Sequence, residues 1–161
     1  MKRYSFVVAA LLVLIPVARA EDNLHRSCDD AQQLLRQVIN IQSEKNEAKA
    51  ADLTESLAQR IDGMSDATKA EVAPKVIEEV AVLLFDDRVT VRMYAADAIA
   101  VLGRHAESVI PSLRLAITQF SESKSRLPPS GVSVRFESVS DVAEMETAVE
   151  MIEEDIRKHG H

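Results

Sequence analysis

The chain has no tryptophan, one cysteine, four glycines and 4% aromatic residues in 161 residues. One cysteine excludes an internal disulfide, so the fold must hold by apolar packing. Cys28 is then a free thiol, a link to another chain, or a buried small apolar residue, and burial is the expectation. Glycine-dependent chemistry is missing as well. There is no Gly-x-Ser-x-Gly turn for a nucleophile, no glycine-rich loop to cradle phosphate, and no His-Glu-x-x-His helix for zinc. The four histidines are scattered. His105 falls in a turn after a helix end, where a cationic form suits the helix dipole. His159 and His161 are two ligands on a tail at 158–161, read as flexible, and two ligands do not close a metal site. No catalytic residue, metal or cofactor is therefore assigned.

Long apolar runs are equally scarce. The one that exists, Phe6–Val17, is about 12 residues, whereas a spanning helix needs ~20. It follows Lys2 and Arg3 and is followed by Ala18-Arg19-Ala20, the layout of a cleavable secretory signal peptide at 1–20. This reading makes the working chain an exported protein, periplasmic or secreted with a bacterial leaning, and without a membrane anchor after cleavage. Its single domain is residues 21–161. Removal of Lys2, Arg3 and Arg19 takes the formal charge from −7 to −10. Such a charge repels nucleic acid and anionic lipid and suits a basic partner.

What remains is rich in Ala, Glu, Val, Leu and Ile, a helical composition. Asp29 or Asp30 can cap a helix with apolar positions Ala31, Leu34, Leu35, Val38 and Ile41. The polar run Gln42–Glu47 leaves open whether the chain turns or one long helix is solvated there. A second helix ends at Gly63. Ser65 caps a short stretch toward Ala73. Pro74 then opens a new helix, because proline is tolerated in a first turn. Its stripe is Val76, Ile77, Val80, Leu83 and Leu84. The next stripe is Val91, Tyr94, Ala95, Ala98, Ile99 and Leu102, closed by Gly103. The pattern restarts at Ile110-Pro111. Pro74 and Pro111 are 37 residues apart, and Val76, Val80 and Leu83 fall on Leu113, Ile117 and Phe120 at that offset, which marks an internal repeat. From 121 to 137 the pattern breaks into an irregular insertion containing Leu127-Pro128-Pro129-Ser130-Gly131. Within it Val132–Phe136 alternates like a short strand. A last helix from Ser138 or Ser140 carries the seam Val142, Met145, Val149, Ile152 and Ile156. Its Glu146, Glu150, Glu153, Glu154 and Asp155 form a solvated face or an acidic strip for a cationic partner.

The segment Leu83–Gly103 resembles a HEAT repeat. Asp86 at the turn, Val91-Arg92 five residues later, the small residues Ala95 and Ala98, and the closing Leu102-Gly103 all match its pattern. The match covers about residues 74–103 and the first half of the next repeat, to about Phe120. It implies an all-α fold, a short right-handed solenoid of antiparallel helix pairs with an insertion before the last helix. In the family pattern Arg92 lies near Asp86, in an Asp–Arg ladder between repeats. The resemblance also implies a protein–protein interaction or scaffold module that presents the second helices of its pairs on one face. Met93, Asp97 and Arg104, off the apolar stripe, are the candidates for that face, and Val132, Val134 and Phe136 form a candidate strand for a partner or ligand. Two alternatives stand beside this reading: an inhibitor or immunity-type protein for a basic exported partner, and a small-ligand binder using 121–137.

Overall fold

The computed structural model describes residues 28–125 and 137–160, with the side chains of 28–122 and 141–160. Residues 1–20, the segment 127–136 with Val132, Val134 and Phe136, and His161 lie outside the described residues. Six helices pack against one another: α1 (28–43), α2 (Glu47–Asp62), α3 (Asp66–Val82), α4 (Val89–Ala100), α5 (Ile110–Ser125) and α6 (Glu137–His159). Short 3₁₀ turns at Leu83–Phe85 and Gly103–Val109 join α3 to α4 and α4 to α5. Among the described residues there is no strand.

Local chemistry explains the boundaries. The chain turns after α1, and the Asn46 carboxamide accepts the Lys49 N–H at 3.0 Å to start α2. Ser65 Oγ accepts the Thr68 N–H at 3.2 Å to start α3. Each cap satisfies a donor that has no partner within the helix. Gly63 closes α2 in a right-handed conformation, φ −67°. Gly103 has φ 56°, the left-handed region open to glycine.

Five expectations need correction. Asp29 and Asp30 do not cap α1, which is already helical at residue 28. The stretches before and after Pro74 are one helix, with Pro74 in its interior. The Ala70 carbonyl loses its amide partner there, but both residues are exposed, so water serves it. Val72, Ala73, Val76, Ile77 and Val80, all buried, hold the helix together across the proline. The insertion is shorter than 121–137: α5 continues through Ser121–Ser125, which contain no glycine or proline, and α6 begins at Glu137. The 158–161 tail is helical through His159, because Lys158 and His159 pair with Glu154 and Asp155 one turn back. Cys28 is exposed, since it precedes the first buried position of α1, Ala31.

The core runs through all six helices. Leu34 and Ile41 of α1, Leu57 and Ile61 of α2, Ile99 of α4, Leu113 of α5 and Met145 and Ile152 of α6 are fully buried. Each contributes about 1.5–3 kcal/mol of transfer free energy. α4 is the central element: it packs against α2 and α6 and also touches α3, while α5 packs on α6. Its buried Ala95, Ala96, Ala98 and Ala100 allow close approach on several sides. Only a narrow strip of α4, Met93, Tyr94 and Asp97 among it, is left partly exposed.

Candidate functional site

The turn between α3 and α4 is bonded on both sides. Asp86 is held by Arg88, whose Nε and Nη2 donate to its carboxylate at 2.7 Å each, while the Arg88 N–H donates to Oδ1 at 2.9 Å. Burial pushes the Asp86 carboxyl up, but the Arg88 bonds outweigh it and leave it below the usual range. Arg88 also donates to the Glu44 carbonyl at 2.7 Å and the Ile41 carbonyl at 3.1 Å, capping the end of α1 with a cation. Arg92 donates to the Asp86 carbonyl at 2.7 Å and turns its charge the other way, to Asp141 of α6. Its guanidinium lies 4.0 Å from the Phe120 ring centre.

Arg92 thus reaches the backbone of Asp86, and the carboxylate partner expected there is Arg88 instead. The N–H that Asp86 takes is that of Arg88, and Thr90 Oγ1 is buried without a partner among the described residues. Arg88 and Asp141 were missed in the sequence. Arg88 stands between the two motif residues, and Asp141 directly precedes the first seam residue, Val142. Neither has a spacing signal of its own. Val91, Ala95 and Ala98 are fully buried.

Gly103 and Arg104 join the α4–α5 turn to α6. The Asp155 carboxylate accepts the Arg104 N–H at 2.7 Å, the main reason its acid strength is raised, with His159 on its other oxygen at 2.8 Å. A Cβ at Gly103 would collide with that carboxylate. The Arg104 side chain donates to Asp66 at 2.6 Å, and His105 sits 2.9 Å from the same carboxylate. The hydrogen bond to His105 leads the causes that lower the Asp66 pKa. Arg104 therefore belongs to this clamp and not to the open strip of α4.

Met93 and Asp97 do lie on that strip, together with Tyr94, which the periodicity had put in the core. The neighbouring helices add exposed or half-buried residues at helical spacings of three and seven: Asp52, Glu55 and Asp62 from α2, Glu144, Met151 and Glu154 from α6. Burial raises the Tyr94 pKa, as do Glu55, Asp97 and Asp52 around it. Burial also raises the Asp97 pKa, with Glu144 adding to it. Further along, a cleft of about 350 Å³ is lined by Asp62 of α2, Ala100 and Val101 at the end of α4, and Met151, Glu154 and Lys158 of α6, among others. One face thus spans α2, α4 and α6.

The acidic residues of α6 do not form a single strip. Glu153 pairs with Arg114, Glu154 with Lys158 and Asp155 with the α4–α5 turn, while the charge of Glu144 helps raise the pKa of Asp97 on α4. Among the described residues no three His, Cys, Asp or Glu side chains gather to hold a metal ion, and no helix is long and apolar enough to cross a membrane. Comparison with protein-family models, curated proteins and solved structures finds no match.

Proposed function

We propose that the protein is an exported, non-catalytic interaction module of HEAT-like helix pairs, and that its partner docks on the face shared by α2, α4 and α6. One observation carries the reading: α4 is packed between α2 and α6, yet Met93, Tyr94 and Asp97 on it stay partly open. Second helices of successive pairs lie side by side in this way when the pairs stack, and each pair then buries its face against its neighbour. The Arg88 and Arg92 bonds, running from the α3–α4 turn to α1 on one side and α6 on the other, fit such stacking as a ladder. Export rests on residues 1–20 of the sequence.

Photocrosslinking tests the face. A benzoylphenylalanine at position 94 or 101, introduced in the organism that makes the protein, forms a discrete adduct with another protein. The same probe at positions 71 and 78, on the exposed side of α3, does not. Adducts from α3 alone, or none from any position, contradict the proposal.

A further inference from the structure

The N-terminal segment enters the fold beside the cleft at the end of α2, α4 and α6. Arg60, in the last turn of α2, bonds to Gln33 and lies 3.6 Å from Asp30, both near the start of α1. Asp62, two residues on, lines the cleft. Residues 1–27 therefore join the fold within about one helical turn of it, at position 28. Residues 18–27 separate that point from Val17, the end of the apolar run Phe6–Val17. Ten residues span up to about 33 Å, and neighbouring helices lie about 8–10 Å apart. The run can thus reach across the cleft, from Asp62 on α2 to Met151 on α6.

The two surfaces match in chemistry. Ala100 and Val101 line the cleft from α4, and Met151 lines it from α6 with 47% of its surface exposed. Methionine is flexible and adapts to varied apolar side chains. The run offers Val7, Val8, Leu11, Leu12, Leu14 and Ile15 in one stretch, which in water gains by taking apolar cover. Charge works in the same direction. Residues 1–20 carry Lys2, Arg3 and Arg19 and no carboxylate, whereas the remainder has a formal charge of −10. Among the described residues the core begins at Ala31, so the segment is free of any duty in holding the helices together.

Resting on the interaction reading above, we infer that in the uncut chain the apolar run Phe6–Val17 docks in this cleft and covers the end of the α2–α4–α6 face. Its aliphatic side chains lie on Val101 and Met151. Hydrolysis of the Ala20–Glu21 bond by a peptidase releases the segment, and the face opens to its partner. Two apolar surfaces are shielded by one contact until then.

Photocrosslinking within the purified full chain, residues 1–161, tests this. A benzoylphenylalanine at position 101 or 151 should give an adduct to residues 6–17, located by mass spectrometry. The same probe at position 78, on the exposed side of α3, should not. Leu12→Asp/Leu14→Asp, which alters no residue of the described fold, should reduce the adduct at least about tenfold. A mixture of nitrogen-15-labelled and unlabelled chains separates adducts within a chain from adducts between chains. No adduct to residues 6–17, equal adducts from position 78, or adducts between chains alone overturn the inference. Partner adducts made by residues 21–161 report on the interface separately. If they persist while the internal adduct is missing, the covering segment falls and the interface stands. If they are missing while the internal adduct forms, the run docks but the face is not a partner site.

Discussion

Arg92 of α4 and Asp141 of α6 form a buried ion pair in which Nε and Nη2 both donate to one carboxylate oxygen, at 2.9 and 2.7 Å. The other oxygen, Oδ1, is buried without a partner among the described residues. Both side chains are nearly inaccessible, 7% and 1% exposed. Desolvating two charges is costly, and each tolerates burial only because the other is present. Removing one leaves an uncompensated buried charge. Asp141→Ala should therefore cost about 3–5 kcal/mol, read from urea unfolding. The double variant Arg92→Met/Asp141→Leu should lose far less. A double variant as unstable as the single one would show that the loss comes from packing and not from the orphaned charge.

Gly103 is required for two separable reasons. Its φ of 56° is unfavourable for any residue with a Cβ, by roughly 1–2 kcal/mol. A Cβ there also meets the Asp155 carboxylate that accepts the Arg104 N–H. Gly103→Ala should therefore be more destabilising in the wild-type background than in Asp155→Ala, where only the backbone cost remains. A thermodynamic cycle from chemical denaturation measures the difference, and a coupling of zero would refute the close approach.

Two aspartates give opposite acid responses. The folded Asp155 pKa is lowered, foremost by the Arg104 N–H. Its contribution is present above the unfolded value of about 4 and is lost as pH falls through the folded pKa. Asp155→Asn should lower stability at neutral pH, and the difference from wild type should shrink as pH falls through the folded pKa. The folded Asp97 pKa is raised, first by burial and then by Glu144. Its charge opposes folding above the folded pKa, and the penalty disappears below about pH 4. Asp97→Asn should therefore raise the melting temperature at neutral pH, and the gain should vanish in acid. Melting curves across the pH range check both signs.

Cys28 is exposed at the start of α1. A maleimide should therefore label the native protein as fast as the urea-unfolded chain. Labelling that waits for unfolding would place the thiol in the core.

How much of this was legible in the sequence depends on whether a residue's partner is near in the chain. Apolar spacing located the helices because Val76, Val80, Ile99 and Leu113 recur at three- and four-residue intervals and are buried. Pro74 misled because a local rule set a boundary that burial on both sides of it overrides. Tyr94 misled because its spacing puts it on the apolar stripe, while the packing of α2 and α6 leaves it beside Met93 and Asp97 on the partly open strip. Of the candidate interaction residues, Met93 and Asp97 could be placed on the partly open strip by elimination from the apolar stripe. Arg104 could not be sorted from them, since its partner Asp66 is 38 residues away. The pairs Arg88 with Ile41 and Glu44, and Arg92 with Asp141, span 44 to 49 residues. Only the packing of helices distant in the chain brings them together.

The methionines provide the most direct measurement, because they sample both the face and the core. Met93 and Met151 lie on the α2–α4–α6 face, Met64 is half-buried at the end of α2, and Met145 is fully buried in α6. With methyl-labelled methionine, addition of the protein captured by the probe at position 94 should shift the Met93 and Met151 resonances together and leave Met64 and Met145 in place. Shifts at Met64 with Met93 and Met151 unchanged would put the binding surface elsewhere and contradict the account.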